Sequence, residues 1–146
     1  MAKIYLLNGP NTNLLGVREP EIYGHDTLAD IVGRVEKAAA RHGHEIVARQ
    51  TNAEHEMIGY LQEAREQAAG IIINPAAFCY HSVPVLDAVL MCKCPIIEVH
   101  ISNIHRRAEA WRSQTIIARA ATGIISGLGA NGYVLALEHI AHLLAK

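Results

Sequence analysis

The sequence predicts a doubly wound α/β domain with a parallel sheet, and two features agree on this fold class. Short apolar or β-branched runs alternate with helical patterns along all 146 residues. Such alternation predicts parallel strands joined by right-handed helical crossovers. The run Ile71-Ile72-Ile73 is fully apolar, which is typical of a strand buried on both faces. The length favours one domain, residues 1–146, with enough chain to form a core.

Five segments have the character of strands. They are Lys3 to Asn8, His44 to Arg49, Ile71 to Ile73, Pro95 to His100, and Gly123 to Ser126. Five strands in a chain of this size predict the flavodoxin-like layout, with three layers in the order α/β/α. A ligand in such a sheet sits beyond the carboxyl ends of the strands. Residues that follow the strands are therefore the candidates for a site.

Helical patterns fill the intervals between the predicted strands. Helices are expected over Thr27 to Arg41, Glu54 to Gln67, about Ser82 to Met91, around Arg107 to Arg112, and Asn131 to Ala145. Asp26 or Thr27 would cap the first of these helices, and Gly43 follows its end. Ser82 would cap the third helix, with Pro84 tolerated in the first turn.

Composition narrows the classes of function. Apolar residues make up 51% of the chain, charged residues 18%, and the net charge is -1, which describes a folded globular protein. The absence of a Lys/Arg block and the scarcity of aromatic residues argue against nucleic acid as the main partner. No run approaches the ~20 apolar residues of a membrane helix, and Ile4 to Leu7 is too short for a signal peptide. We therefore expect a cytoplasmic protein whose main partner is not a nucleic acid.

Sequence motifs give no indication of a cofactor or a metal. Gly127 to Gly132 matches G-x-G-x-x-G, but it follows the last strand, and the acidic ribose partner expected ~20 residues later would lie beyond Lys146. A tight glycine turn is the preferred interpretation. No P-loop, G-x-S-x-G or metal-site spacing is present. The cysteines, Cys79, Cys92 and Cys94, are interpreted as buried or idle thiols. Any reaction is expected to use side chains alone.

Glu98 and His100 lie two residues apart on the predicted fourth strand, so their side chains share a face at its carboxyl end. A carboxylate beside an imidazole favours the protonated ring and can fix its orientation. His100 is therefore a candidate proton donor to a leaving hydroxyl. A structural ion pair explains the same spacing equally well. Ser102 and Asn103 add hydroxyl, amide and backbone donors directly after this strand.

Two more polar segments follow predicted strands. The guanidinium groups of Arg106, Arg107 and Arg112 suit a carboxylate or phosphate, because each can bind bidentately. A solvated helix face is the commoner explanation of such a basic run. After the third strand, Asn74, Tyr80 and His81 would line a polar pocket, although a plain structural loop explains this segment as well.

Arg18 and Tyr23 lie on the irregular segment that follows the first strand. A free phenol titrates near ~10 and is a poor base at neutral pH. A guanidinium held close would favour the phenolate. Glu19 and Glu21 would oppose this effect and are therefore expected to point away. A mobile surface loop is the alternative interpretation of the segment.

Three long motifs resemble, in order, the signatures of the type II dehydroquinases, the type II 3-dehydroquinate dehydratases. They are LNGPNTNLLGVREPEIYG, INPAAFCYHSVPVLDAV and IIEVHISNIHRR, and the resemblance covers nearly the whole chain. It implies a flavodoxin-like fold and a homo-oligomer in which trimers form a dodecamer. It also implies conversion of 3-dehydroquinate to 3-dehydroshikimate and water, without a metal or a Schiff base.

The resemblance further implies a role for each matched residue. Tyr23 would be the base that takes a C2 proton, and Arg18 would favour the ionised tyrosine from a lid. Asn11 would stabilise the enolate through a water molecule. His100, supported by Glu98, would protonate the departing C1 hydroxyl. The substrate's carboxylate and hydroxyls would be held by Asn74, Ile101, Ser102 and Arg112, and Asp87 would reach a neighbouring subunit's site.

Two features depart from the family pattern. The family usually has a substrate-binding histidine six residues after the Asn, whereas this chain has Tyr80 there and His81 one residue later. The family also spaces two arginines by four, whereas Arg107 and Arg112 are five apart. A paralogue that dehydrates a different cyclic hydroxy-ketone acid therefore stays as an alternative, as does a non-catalytic receptor for polyols or anions. The dehydratase activity would serve aromatic amino acid biosynthesis in the shikimate pathway, or quinate catabolism.

Overall fold

The structure, a computed structural model that describes residues 1–146, contains one five-stranded sheet. Its strands are β1 (Lys3–Asn8), β2 (Glu45–Gln50), β3 (Gly70–Asn74), β4 (Ile96–His100) and β5 (Gly123–Ser126). Every neighbouring pair is parallel, and the order is β2-β1-β3-β4-β5. This is the flavodoxin-like order of doubly wound sheets. The predicted fold class is therefore confirmed.

Six α-helices connect and cover the strands. They are α1 (Pro20–Tyr23), α2 (Leu28–Arg41), α3 (Glu54–Gln67), α4 (Phe78–His81), α5 (Val83–Leu90) and α6 (Asn131–Leu144). The four long predicted helices agree with α2, α3, α5 and α6 to within one residue at each end. The prediction of a helix around Arg107 to Arg112 was wrong. This part of the chain instead forms two separate 3-10 turns, Ile104–Arg106 and Ala110–Ser113. The one-turn helices α1 and α4 were not predicted.

Local side-chain bonds set where two of the helices begin. The Thr27 hydroxyl accepts a hydrogen bond from the Asp30 N–H over 3.1 Å, and the Asp30 carboxylate accepts one from the Thr27 N–H over 3.0 Å. This reciprocal capping box satisfies two free donors at the start of α2. Ser82 accepts from the Val85 N–H over 3.2 Å and caps α5. Both caps agree with the sequence prediction.

The core is divided between the two faces of the sheet. Alternate residues of β1 point to opposite faces, so Ile4 and Leu6 pack with α2 and α6, whereas Tyr5 and Leu7 pack with α3 and α5. All five residues of the central β3 are buried, as expected for a strand covered on both faces. None of the helices is long and apolar enough to cross a lipid bilayer.

The glycine-rich turn after β5 is set by backbone geometry. Gly127 has φ +91° and Gly129 has φ +63°, the left-handed region that glycine adopts without a steric penalty. A Cβ atom on Gly127 would lie only 2.8 Å from the Cβ of Asn103. These features support the interpretation of G-x-G-x-x-G as a tight turn. The turn also packs against the loop after β4, which carries part of the site.

Candidate active site

A cleft of about 650 Å³, counted with its open mouth, lies at the carboxyl edge of the sheet. Its walls are the loops that follow β1, β3 and β4, as the fold predicts. The predicted site residues that line it are Asn11, Arg18, Tyr23, Asn74, Tyr80, His100, Ile101, Ser102 and Arg112. A cleft in this position of a doubly wound sheet is where such proteins bind small molecules.

Three of the predicted site residues do not line this cleft. Glu98 lies behind His100 and is completely buried. His81 is exposed, and its ring stacks on that of Trp111 with 6.4 Å between centroids. Asp87 is exposed on α5. The roles given to these residues stay predictions.

Tyr23, at the end of α1, is held between two guanidinium groups. Arg107 Nη2 donates a hydrogen bond to the phenol oxygen over 2.5 Å. The Cζ atoms of Arg18 and Arg107 lie 5.0 and 5.5 Å from the centroid of the tyrosine ring. Two positively charged groups therefore face the same phenol ring. The sequence predicts this contact for Arg18 alone. The contact of Arg107 was not predicted, because residue spacing does not show which arginine of the basic run reaches Tyr23.

Glu98 and His100 form a buried pair at the end of β4. The two side chains share a face, as the two-residue spacing predicts, and His100 Nε2 is hydrogen-bonded to Glu98 Oε2. The side chain of Glu98 is 0% exposed and that of His100 is 7% exposed. His100 therefore meets the cleft while its ring is fixed from behind by a carboxylate.

Asn74, the last residue of β3, is held by a chain of buried hydrogen bonds. Its Nδ2 donates to the Tyr133 hydroxyl over 2.7 Å, and that hydroxyl donates to Asn8 Oδ1 over 2.7 Å. Asn74 Oδ1 accepts from the Ala76 N–H over 3.0 Å. Burial raises the pKa of Tyr133 well above its usual range, so the hydroxyl stays a donor. No sequence motif indicated Tyr133, which belongs to α6.

Tyr80, and not His81, contributes to the cleft wall. Trp111 packs edge-on against the Tyr80 ring with 5.0 Å between centroids. Arg112 Cζ lies 5.9 Å from the Tyr80 centroid and 4.5 Å from that of Trp111. Burial raises the pKa of Tyr80, with Arg112 acting in the opposite direction. Tyr80 is therefore a neutral phenol that is fixed by its neighbours.

Hydrogen bonds fix the loop after β1 to the residues that follow or end the neighbouring strands. The Gly9 N–H donates to the Asn74 carbonyl over 2.8 Å. Asn11 has a left-handed φ of 68°, and its N–H donates to Asn52 Oδ1 over 2.9 Å. These bonds hold Asn11 at the cleft, so that its side chain can meet a bound molecule.

Together, these side chains define the class of the protein. One cleft of the flavodoxin-like sheet contains a tyrosine beside two cations. The same cleft contains a histidine that is bonded to a carboxylate. This arrangement is typical of α/β enzymes that use general acid–base chemistry. The chain belongs to the family "Dehydroquinase class II", whose family model matches residues 2–141. The resemblance found in the three sequence motifs is therefore confirmed.

Named relatives agree with this family assignment. The 3-dehydroquinate dehydratase of Salinispora arenicola is 49% identical over 139 residues, which span 95% of this chain and 96% of the relative. The 3-dehydroquinate dehydratase 2 of Agrobacterium fabrum is 48% identical over 146 residues, spanning 100% and 99%. Among solved structures, the type II dehydroquinase of Propionibacterium acnes matches with a TM-score of 0.93 and 39% identity, covering 97% of both chains.

Proposed function

We propose that the protein is a type II 3-dehydroquinate dehydratase, a hydro-lyase that converts 3-dehydroquinate to 3-dehydroshikimate and water. Relatives of almost the same length carry this name at 48% and 49% identity. One observation carries the proposal for this chain itself. Tyr23, bonded to Arg107, shares a cleft with His100, which is bonded to Glu98. A base and an acid are thus available to the same bound molecule.

Tyr23 acts as the base in this proposal. Its ionised oxygen takes a proton from C2, next to the substrate's ketone, and the electron pair of that C–H bond moves into an enolate. Arg18 and Arg107 stabilise the anionic oxygen before the transfer. Asn11, which lines the same cleft, stabilises the enolate through a water molecule.

His100 acts as the acid. Its ring gives a proton to the C1 hydroxyl, the C1–O bond breaks, and water leaves as the enolate electrons form the C1=C2 double bond. Glu98 holds the ring and supports its protonated form. Tyr23 releases the proton that it took to solvent and His100 takes a proton up from solvent, so both groups are restored and the net reaction is the loss of one water molecule.

The remaining residues of the cleft hold the substrate. Asn74, Ile101 and Ser102 bind its carboxylate and hydroxyls, and Arg112 binds a ring hydroxyl. The substrate contact of the family's histidine falls to His81, or Tyr80 makes a different contact there; of the two, Tyr80 lines the cleft. Arg107 also lines the cleft, and its Nε is buried without a hydrogen-bond partner.

The assembly and setting proposed for the enzyme follow the family resemblance. Residues 1–146 form a single catalytic domain, and trimers of the chain assemble into a dodecamer in the cytoplasm. Asp87 is exposed on α5, which leaves it free to contact a neighbouring subunit's site. The product would feed aromatic amino acid biosynthesis or quinate catabolism.

Two experiments test the proposed roles. Purified protein is mixed with 3-dehydroquinate, and the conjugated enone product is followed by its ultraviolet absorbance. Tyr23→Phe and Arg18→Ala should each lower kcat by at least ~10²-fold, the scale of a general base. Tyr60→Phe on α3 is the matched control, because Tyr60 is outside the cleft. Full turnover in Tyr23→Phe would show that another group is the base.

The second experiment separates the two proton transfers. In D2O, a His100→Gln variant should exchange the C2 hydrogen for deuterium while forming almost no enone, because the base remains and the acid is lost. NMR of recovered 3-dehydroquinate measures this exchange. Rapid enone formation by His100→Gln would contradict the role of His100.

A second candidate, dehydration of a different cyclic hydroxy-ketone acid, is favoured by Tyr80. Its side chain lines the cleft and packs against the ring of Trp111. Comparison of kcat/KM for 3-dehydroquinate and related ring ketones decides between the candidates. Preference for 3-dehydroquinate supports the main proposal. A ketone that reacts much faster supports the second one, and Tyr80→His should then shift the preference toward 3-dehydroquinate.

A further inference from the structure

Three potential metal ligands are buried together behind the wall of the cleft. Cys79 lies on α4, and Glu98 and His100 lie on β4. The ligand atoms of the three side chains all lie within 4.8 Å of one another. Cys79, Glu98 and His100 are all buried. The proposed reaction uses the pair on β4 and leaves the thiol without a function.

A second observation at this cluster indicates a missing partner. Glu98 Oε2 is bonded to His100, but Glu98 Oε1 is buried without any hydrogen-bond partner. Buried carboxylate oxygens are rarely left unpaired in folded proteins. A cation in the cluster would satisfy this oxygen.

The donor set is one that zinc prefers. Thiolate, imidazole and carboxylate all bind Zn²⁺, with bond lengths of about 2.0–2.3 Å. Two ligands of one tetrahedral ion are therefore roughly 3.3–3.7 Å apart, so small side-chain movements would bring this cluster to the required distances. His100 lines the cleft, which gives the ion access and leaves its fourth position for water.

We propose that Cys79, Glu98 and His100 form an inhibitory site for Zn²⁺. On binding, the Cys79 thiol loses its proton to solvent and becomes a ligand. The ion binds one ring nitrogen of His100 and the Glu98 carboxylate, so the ring can no longer hold a second proton and give it to a leaving hydroxyl. The inhibition rests on the proposed function, whereas the binding does not.

Cobalt is the spectroscopic probe of the site. The purified full-length protein is titrated with Co²⁺, and we expect a thiolate-to-cobalt charge-transfer band that saturates at one ion per chain and disappears when Zn²⁺ is added. Cys79→Ser should lose the band and bind Zn²⁺ at least ~100-fold more weakly. The matched controls are Cys92→Ser and Cys94→Ser, whose half-buried thiols lie outside the cluster. Both controls should keep the band.

Three results would overturn the proposed site: no cobalt band in the wild type, a band that survives in Cys79→Ser, or a band that disappears in a control variant. Cys79→Ala replaces Cys79→Ser if the serine variant melts at a much lower temperature.

Inhibition is measured separately. Zn²⁺ should stop turnover of the wild type, a chelator should restore it, and Cys79→Ser should resist. Cobalt binding without inhibition by Zn²⁺ would refute the inhibitory role, whereas a metal-free wild type without turnover would refute the proposed function instead.

Discussion

Arg107 donates a hydrogen bond to the Tyr23 hydroxyl over 2.5 Å, although 84 residues separate the two in sequence. The contact exists because the loops after β1 and β4 meet at one edge of the sheet, where only β3 lies between their strands. Arg18 approaches the same ring from its own segment. Two cations therefore contact one phenol, and removal of either should slow the proposed proton transfer.

Replacement of Arg107 by methionine tests this relationship. The variant keeps an unbranched chain but loses the charge and the donor to Tyr23, so kcat should fall by ~10²-fold or more. Arg106→Met is the control, because Arg106 is exposed and only its backbone N–H, which donates to the Asn103 carbonyl, makes a hydrogen bond. Steady-state kinetics with 3-dehydroquinate measures both variants. If kcat fell equally in Arg107→Met and Arg106→Met, the cause would be the total positive charge of the segment and not the hydrogen bond from Arg107 to Tyr23.

The parts of the fold that could be predicted depend on local signals. Three signals each involve residues that are close in sequence: the capping pair Thr27 and Asp30, the Ser82 cap, and the apolar run of β3. The elements that these signals specify agree with the prediction. The prediction of a helix from Arg107 to Arg112 was wrong, although the composition of this segment is compatible with a helix. Arg107 and Glu109 have extended backbones there, with ψ 146° and 124°. That conformation accompanies the contacts of Arg107 with Tyr23 and of Arg112 with Tyr80, so tertiary contacts outweigh helix propensity.

The unpredicted parts of the site are pairs between distant segments. Period two on β4 was enough to place Glu98 beside His100. Nothing local places Cys79 next to that pair, or Tyr133 next to Asn74, because these contacts depend on strand order and on how α4 and α6 pack. Motif resemblance assigns roles only to residues that are part of a motif, which leaves Tyr133 on α6 unnoticed.

Tyr133→Phe should lower both stability and substrate affinity. Loss of the hydroxyl leaves Asn74 Nδ2 and Asn8 Oδ1 without their buried partner, at a cost of about 1–3 kcal/mol in the free energy of unfolding. Asn74 then loses its fixed orientation, so KM should rise more than kcat falls. Urea unfolding and kinetics measure the two effects. Tyr60→Phe removes a hydroxyl without a hydrogen bond to protein and should change neither; similar losses in both variants would contradict the explanation.

Gly127→Ala should destabilise the turn after β5. The new methyl group would lie 2.8 Å from Asn103 Cβ on a backbone with φ +91°, and we expect a cost of about 1–3 kcal/mol. Gly129→Ala has the left-handed φ but open space around its Cβ, so it should cost less. Gly59→Ala inside α3 meets nothing within 4 Å and should stabilise by about 0.5–1 kcal/mol. Thermal melts that rank the three in any other order would contradict this account.

Tyr5 should make the fold sensitive to alkaline pH. Its hydroxyl donates to Glu63 Oε2 over 2.6 Å, and burial, together with the Glu63 carboxylate, raises the pKa of Tyr5 from 10.0 to about 12. Between these pH values the unfolded chain releases the tyrosine proton and the folded chain keeps it. The Tyr5 contribution to stability is therefore complete below pH 10 and is lost as the pH rises through 12, by at most ~1.4 kcal/mol per pH unit.

Urea unfolding of the wild type and of Tyr5→Phe at pH 8, 10 and 11 isolates this contribution. Cys79 and Cys94 also have raised pKa values, of about 12 and about 11, and burial raises the pKa of Tyr133 too. Because these groups are present in both proteins, their alkaline effects cancel in the comparison. The wild type should be the more stable protein at pH 8, and its advantage should shrink between pH 10 and 11. Parallel stability curves over this range would show that Tyr5 titrates alike in the folded and unfolded chains.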